Sequence, residues 1–113
     1  MKMPMALAVL FAAAGLEAGG DALLRGGLFG ANPLRRLVLL IAGALVLFLY
    51  GCVVNLPRWD FGRLLGVYVA AFFLMSQAIN WIGFGQRPTL PICVGGSLII
   101  LGGLIISLWS PGI

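Results

Sequence analysis

Four long apolar stretches, separated by short polar connections, constrain the fold of this chain more than any other feature of its sequence. Of its 113 residues, 62% are hydrophobic and 9% are charged, whereas a soluble domain carries roughly 25% charged residues. A chain of this size could not cover so much apolar surface with polar side chains. Lipid must therefore be the solvent for most of it.

We predict an all-α membrane protein whose four transmembrane helices form a single domain over residues 1–113. About 20 apolar residues cross a bilayer as a helix, and the predicted spans are 5–28, 34–56, 64–84 and 90–109. Glycine and proline in each connection end the helices. Because the connections are short, successive helices must be antiparallel. The apolar runs are too long for barrel strands and lack their period-2 alternation.

The basic residues are nearly balanced between the two ends of these spans. One side carries Lys2, Arg58 and Arg63, and the other carries Arg35, Arg36 and Arg87, with Arg25 close to it. Most membrane proteins place more Lys and Arg on the cytoplasmic side. A chain that inserts in both orientations needs this balance. The alternative is that a small bias among so few charges says nothing about orientation. Dual topology and a fixed orientation both remain open.

Several classes of function have no support in the composition. The chain has no His, the commonest general base and metal ligand, and its two Cys lie within apolar stretches, where they are expected to pack as small apolar residues. The net charge of +4 sits at segment ends and forms no continuous patch. We therefore expect no enzyme, no cofactor, no metal site and no nucleic-acid partner.

Glu17 is an acid near the centre of the first span. A carboxyl group at this depth is costly and usually faces a protein interior or a water-filled path. At 100° per residue it shares a face with Gly20 and Asp21. Asp21 can pair with Arg25 at i+4, but Glu17 has no such partner in its own helix. The pattern predicts a proton or cation site, and the alternative is a protonated Glu17 that hydrogen-bonds across a helix interface.

Further polar and small residues lie in the third and fourth spans. Tyr68 is predicted either to contact a bound cation or Glu17, or to anchor the helix at the membrane interface. Gln77 is expected to join helices more often than to bind substrate. Gly95 and Gly102 are seven residues apart and share one face, which predicts helix association.

Residues 15–25 resemble the first helix of the small multidrug resistance family, in which Glu17, Gly20 and Arg25 match the central Glu, a Gly and a basic residue. Residues 84–91 and the spacing of Gly95 and Gly102 resemble that family's third loop and fourth helix. The FGR at residues 61–63, followed by Tyr68, is similar to the signature of a sister branch, the YnfA-like (UPF0060) proteins. Together these similarities cover nearly the whole chain.

The resemblance implies an antiparallel homodimer in a bacterial plasma membrane that exchanges protons for small organic cations, quaternary ammonium or guanidinium-like, by alternating access. Asp21 stands where the multidrug branch usually has Thr, which predicts a second acid at the site. The other hypothesis is a non-transporting assembly protein in which Glu17 is a buried helix contact. The residues expected to take part are Glu17, Asp21 and Tyr68 in proton and cation binding, Gly20, Arg25 and Gln77 in support of the cavity, and Gly95 and Gly102 in dimerisation.

Overall fold

Four α-helices make up most of the computed structural model, which describes residues 2–109. They are α1 (Met3–Leu28), α2 (Pro33–Val54), α3 (Phe61–Phe84) and α4 (Leu90–Leu108). Each is long and apolar enough to cross a membrane, which confirms the all-α prediction of four spans. The ends of the predicted domain, residue 1 and residues 110–113, lie outside the described residues.

Local capping sets the start of two helices. The Asn32 side chain accepts hydrogen bonds from the backbone N–H of Leu34 at 3.0 Å and of Arg35 at 3.3 Å, so α2 begins at Pro33. Asp60 accepts from the backbone N–H of Arg63 at 3.2 Å. This cap starts α3 at Phe61, before residue 64, where the long apolar run led us to place it.

The helices form a flat row in the order α2, α1, α3, α4. α1 packs against both α2 and α3, whereas α4 packs against α3; across residues 2–109 no other pair of helices has closely spaced backbones. The molecule measures 56 × 34 × 19 Å, so its thickness is less than two helix diameters of about 10–12 Å. Most large apolar side chains are therefore left exposed for lipid or for another chain to cover.

The buried core lies mainly between α1 and α3, and one residue of α2, Val54, belongs to it. It consists largely of alanines and aliphatic residues, which let the two helices approach closely. Its members are Leu10, Ala13, Ala14, Val54, Leu64, Val67, Tyr68 and Ala71.

Glycines allow the close approach of α1 to α2. A Cβ on Gly20 would lie 2.6 Å from Cδ2 of Leu47, and a Cβ on Gly43 would lie 2.9 Å from Cγ of Leu24. Near the end of α1, Arg36 Nε donates a hydrogen bond to the Gly27 carbonyl at 3.1 Å. α1 and α2 thus form a tightly packed antiparallel hairpin.

Candidate functional site

Glu17 and Tyr68 form a hydrogen bond that joins α1 to α3. The Tyr68 hydroxyl donates to Oε1 of Glu17 at 2.6 Å, a length typical of an O–H donor on an ionised carboxylate. Tyr68 is 5% exposed and Glu17 is half-buried. The structure thus places a buried Tyr68 against Glu17, whereas its predicted contact with a bound cation stays a prediction.

Two further aromatic rings stand next to Tyr68. The Tyr50 ring of α2 lies 5.7 Å from the Tyr68 ring, measured between centroids, at an interplanar angle of 40°. The Phe72 ring lies 6.1 Å away at 33°. Both separations lie within the range of aromatic pairs that attract one another. Three helices therefore converge on one acid, and we call this cluster of Glu17, Tyr50, Tyr68 and Phe72 the Glu17 site.

Tyr50 is a site residue that the sequence reasoning missed. The chain contains two tyrosines, and both belong to the Glu17 site. A signal was present in the α1–α2 hairpin, because antiparallel helices joined by a short connection pair residues whose numbers have a nearly constant sum. In the structure Gly20 contacts Gly43 and Leu47, whose numbers add to 63 and 67 with that of Gly20. The same sums put Tyr50 level with residues 13–17 of α1.

The predicted pair of Asp21 and Arg25 is not formed. Both side chains are exposed, and no ion pair joins them within residues 2–109. Arg25 instead lies over the Phe29 ring, with its Cζ 5.8 Å from the ring centroid. The reason is that an exposed pair gains little and must hold two side chains in one geometry. The predicted role of Asp21 as a second acid at the site stays a prediction.

The three residues expected to support the cavity lie in different parts of the helices, and this role stays a prediction for each of them. Gly20 faces Leu47 of α2. Arg25 lies toward the end of α1, two turns beyond Glu17. Gln77 follows Tyr68 by nine residues, about 13 Å along α3 at 1.5 Å per residue.

Gln77 instead lines a cleft between α3 and α4 with a volume of about 250 Å³. Its Oε1 atom is buried and has no hydrogen-bond partner among the described residues. Whether Gln77 joins helices or binds substrate stays a prediction.

The four glycines of α4 lie on two faces of the helix, two on each. A Cβ on Gly103 would lie 2.5 Å from Cβ of Ala70, and a Cβ on Gly96 would overlap the Phe73 ring, so these two glycines pack against α3. Apart from the backbone of α4 itself, no atom of residues 2–109 lies within 4 Å of a Cβ on Gly95 or Gly102. Their face is open, and their predicted role in dimerisation stays a prediction.

The chemistry available at the Glu17 site follows from this geometry. One carboxyl oxygen accepts from Tyr68, while Oε2 makes no hydrogen bond to the part of the chain that the structure describes. The tyrosine and phenylalanine rings offer π faces, which attract organic cations. A carboxyl group in this setting can hold a proton or a cation, but not both.

Comparison with known proteins finds two relatives whose names describe membrane proteins. The chain is 36% identical to a "UPF0060 membrane protein" of Streptomyces avermitilis over 106 residues, covering 92% of this chain and 91% of the relative. It is 35% identical to a "UPF0060 membrane protein" of Herpetosiphon aurantiacus over 71 residues, covering 61% of this chain and 64% of the relative, slightly less than two thirds of that protein. No protein-family profile and no solved structure matches the chain.

Proposed function

The chain belongs to the UPF0060 family of membrane proteins, and within this family we propose that it is a proton-coupled antiporter exporting small organic cations by alternating access. The substrates we propose are quaternary ammonium or guanidinium-like ions. The protein spans the membrane several times, and Glu17 of α1 is the group that exchanges a proton for the cation.

The observation that carries this proposal is the hydrogen bond from Tyr68 to Glu17. Intramembrane acids are rare and usually mark ion or proton pathways. Here the acid lies in the middle of α1, is half-buried, and is bonded by a buried hydroxyl from another helix. A donor that stabilises the ionised carboxyl, next to aromatic rings, suits a site that must release a proton and accept an organic cation.

The exchange follows from mutual exclusion at one carboxyl group. A proton bound to Glu17 neutralises it and removes its attraction for a cation. Loss of that proton leaves a carboxylate that Tyr68 still stabilises and that a cation can neutralise. Because either ligand satisfies the charge, the empty, ionised form is the costly one at membrane depth, which favours movement of loaded forms.

The proposal also covers the superfamily to which the chain belongs and the way its copies assemble. We place the chain in the small multidrug resistance superfamily and propose an antiparallel homodimer in which two copies of Glu17 share one cavity. The open face of α4 at Gly95 and Gly102 supports association through this helix, because small residues let backbones approach closely. The balanced basic residues support two opposite orientations.

Proton release tests the function directly. Tetramethylammonium or guanidinium is added to purified protein in weakly buffered detergent near neutral pH, and the pH change is recorded. We expect wild type to release protons in proportion to bound cation and Glu17→Gln to release none. Asp60→Asn, which removes an exposed acid outside the Glu17 site, is the matched control and is expected to retain the release, whereas Asp21→Asn tests the predicted second acid. Wild-type protein that neither binds a cation nor releases protons would end the proposal.

The same hydrogen bond also supports a second candidate function, in which Glu17 has a structural role. Because it ties α1 to α3, Glu17 can act as a buried contact in a non-transporting assembly protein. In that case Glu17→Gln keeps or raises thermal stability in detergent, and Gly95→Leu or Gly102→Leu disrupts association. These outcomes together with an absence of cation-dependent proton release would select this alternative.

A further inference from the structure

The attachment of α4 is the least determined part of the fold. Within the described residues the backbone of α4 lies close to that of α3 and of no other helix. Its sequence is apolar on all sides and contains two Gly-Gly dipeptides, Gly95-Gly96 and Gly102-Gly103. Lipid tails are as apolar as the side chains, so no hydrophobic force selects the face that α4 turns toward α3. Packing shape and hydrogen bonds must make this choice.

Glycine packing supplies the first part of the choice. Gly96 and Gly103 lie against Phe73 and Ala70 with no room for a Cβ. This contact leaves Gly95 and Gly102 on the open face. However, Gly95 and Gly102 are seven residues apart, as Gly96 and Gly103 are. Glycine spacing alone therefore does not distinguish the two rotations of α4.

Arg63 supplies a contact that breaks this equivalence. Its Nη2 donates a hydrogen bond to the Ser107 carbonyl in the last turn of α4, at 3.1 Å. Carbonyls in the last turn of a helix have no partner within the helix, and leaving one unpaired is costly in lipid. The last turn of α4 has no basic residue of its own. The cation that its C-terminus favours thus comes from α3.

The Arg63 side chain is held in this direction by its neighbours. Its Cζ lies 4.9 Å from the Trp59 ring centroid, and the Asp60 carboxylate caps the turn that carries it. Its Nε is buried. An interfacial cation that extended toward lipid headgroups would have this atom exposed, so the guanidinium is directed at α4 and not at the membrane surface.

We propose that Arg63 is a positioning residue that fixes the rotation of α4 on α3. The guanidinium binds the C-terminal end of α4, and Gly96 and Gly103 close the contact along its length. As a result, Gly95 and Gly102 are presented on the open face to a second copy of the chain. This last step alone rests on the homodimer proposed above.

Distances within one protomer test the rotation. Cys52 and Cys93 are replaced by Ala, and spin labels are placed on Val69 of α3 and Leu101 of α4, which are 53% and 54% exposed. Labelled protein is diluted with unlabelled protein so that pairs within a protomer are measured. We expect a narrow distance distribution for wild type and a broadened or shifted one for Arg63→Gln. Arg58→Gln, which removes an exposed cation at the same end, is the matched control and should match wild type.

Association of copies tests the consequence. We expect the dissociation constant of the dimer in detergent to rise about tenfold in Arg63→Gln, as for loss of one hydrogen bond to a charged group, and to stay unchanged in Arg58→Gln. An unchanged distance distribution in Arg63→Gln overturns the inference, whatever the transport assay gives. A changed distribution with unchanged association supports the rotation and overturns the step to assembly.

If Arg63→Gln does not fold, Arg63→Lys is compared with Arg58→Lys. Lysine keeps the charge but replaces the planar guanidinium by a compact ammonium. The inference requires a broader distance distribution in Arg63→Lys than in Arg58→Lys, and equal distributions contradict it.

Discussion

At the scale of single residues, the function we propose depends on how one acid is kept inside a membrane. Glu17 is bonded by the Tyr68 hydroxyl, and Tyr68 in turn packs against the rings of Tyr50 and Phe72. The hydroxyl contacts the carboxyl group directly, whereas Tyr50 contributes a ring that holds Tyr68 from the side of α2. These two tyrosines therefore differ in what a loss of their hydroxyl removes.

A tyrosine-to-phenylalanine exchange at each position tests this difference. Tyr68→Phe removes the donor to Glu17, and we expect it to lower the free energy of unfolding by about 1–3 kcal/mol. Tyr50→Phe keeps the ring contact and is expected to change it by less than about 0.5 kcal/mol. Thermal or denaturant unfolding in detergent, followed by the helical signal, measures both. Equal losses in the two variants would contradict the assignment of the stabilising bond to Tyr68.

At the scale of secondary-structure elements, α4 has two faces of similar composition and different use. Gly96 and Gly103 pack on α3, and Gly95 and Gly102 have open space around them. From the sequence alone, either glycine of each Gly-Gly dipeptide could be the one that packs against α3. Their different surroundings lead to opposite expectations for the same substitution at neighbouring positions.

The neighbouring pair Gly102 and Gly103 gives the sharpest comparison. Gly103→Ala places a Cβ 2.5 Å from Cβ of Ala70, and we expect a loss of about 1–3 kcal/mol in unfolding free energy, because the helices must separate. Gly102→Ala places its Cβ more than 4 Å from any other helix of the described chain and gains up to about 1 kcal/mol from helix propensity. Unfolding of the monomer in detergent measures both. A loss at Gly102 as large as that at Gly103 would show that the face of α4 is assigned wrongly.

At the scale of the whole molecule, the row of helices is too thin to enclose a cavity by itself. A molecule 19 Å thick leaves most of its large apolar side chains uncovered, and Glu17 is only half-buried. A second copy that covers the open side of the Glu17 site would complete an enclosed path. In an antiparallel dimer this requires one sequence to insert in both orientations.

Labelling from the two sides of the membrane tests this requirement. In protein lacking Cys52 and Cys93, Gln86→Cys puts one thiol in the exposed connection between α3 and α4. We expect an impermeant maleimide to label part of the protein in intact cells and the remainder after permeabilisation. Arg58→Gln and Arg87→Gln remove a cation from opposite sides and should shift this ratio in opposite directions. One-sided labelling would contradict a homodimer of opposite orientations.

The sequence by itself determined the number of helices, their approximate ends and the central position of Glu17. Within lipid every backbone polar group must be satisfied inside its own segment, so length and hydropathy are sufficient to predict the spans of residues 2–109. The caps at Asn32 and Asp60 adjust the helix starts by a few residues. The same reasoning could propose Tyr68 as a partner of Glu17, but could not choose between that role and an interfacial one.

Only the tertiary structure decided which faces of the helices meet. It placed Tyr50 at the Glu17 site, turned Gly20 toward α2, left Asp21 and Arg25 unpaired with each other, and set Gly96 against α3 in place of Gly95. The physical reason is that helices apolar on every side carry no hydrophobic pattern that distinguishes one face from another. Their rotation in lipid depends on side-chain shape and on a few hydrogen bonds, such as that of Arg63 to Ser107, between residues far apart in the chain.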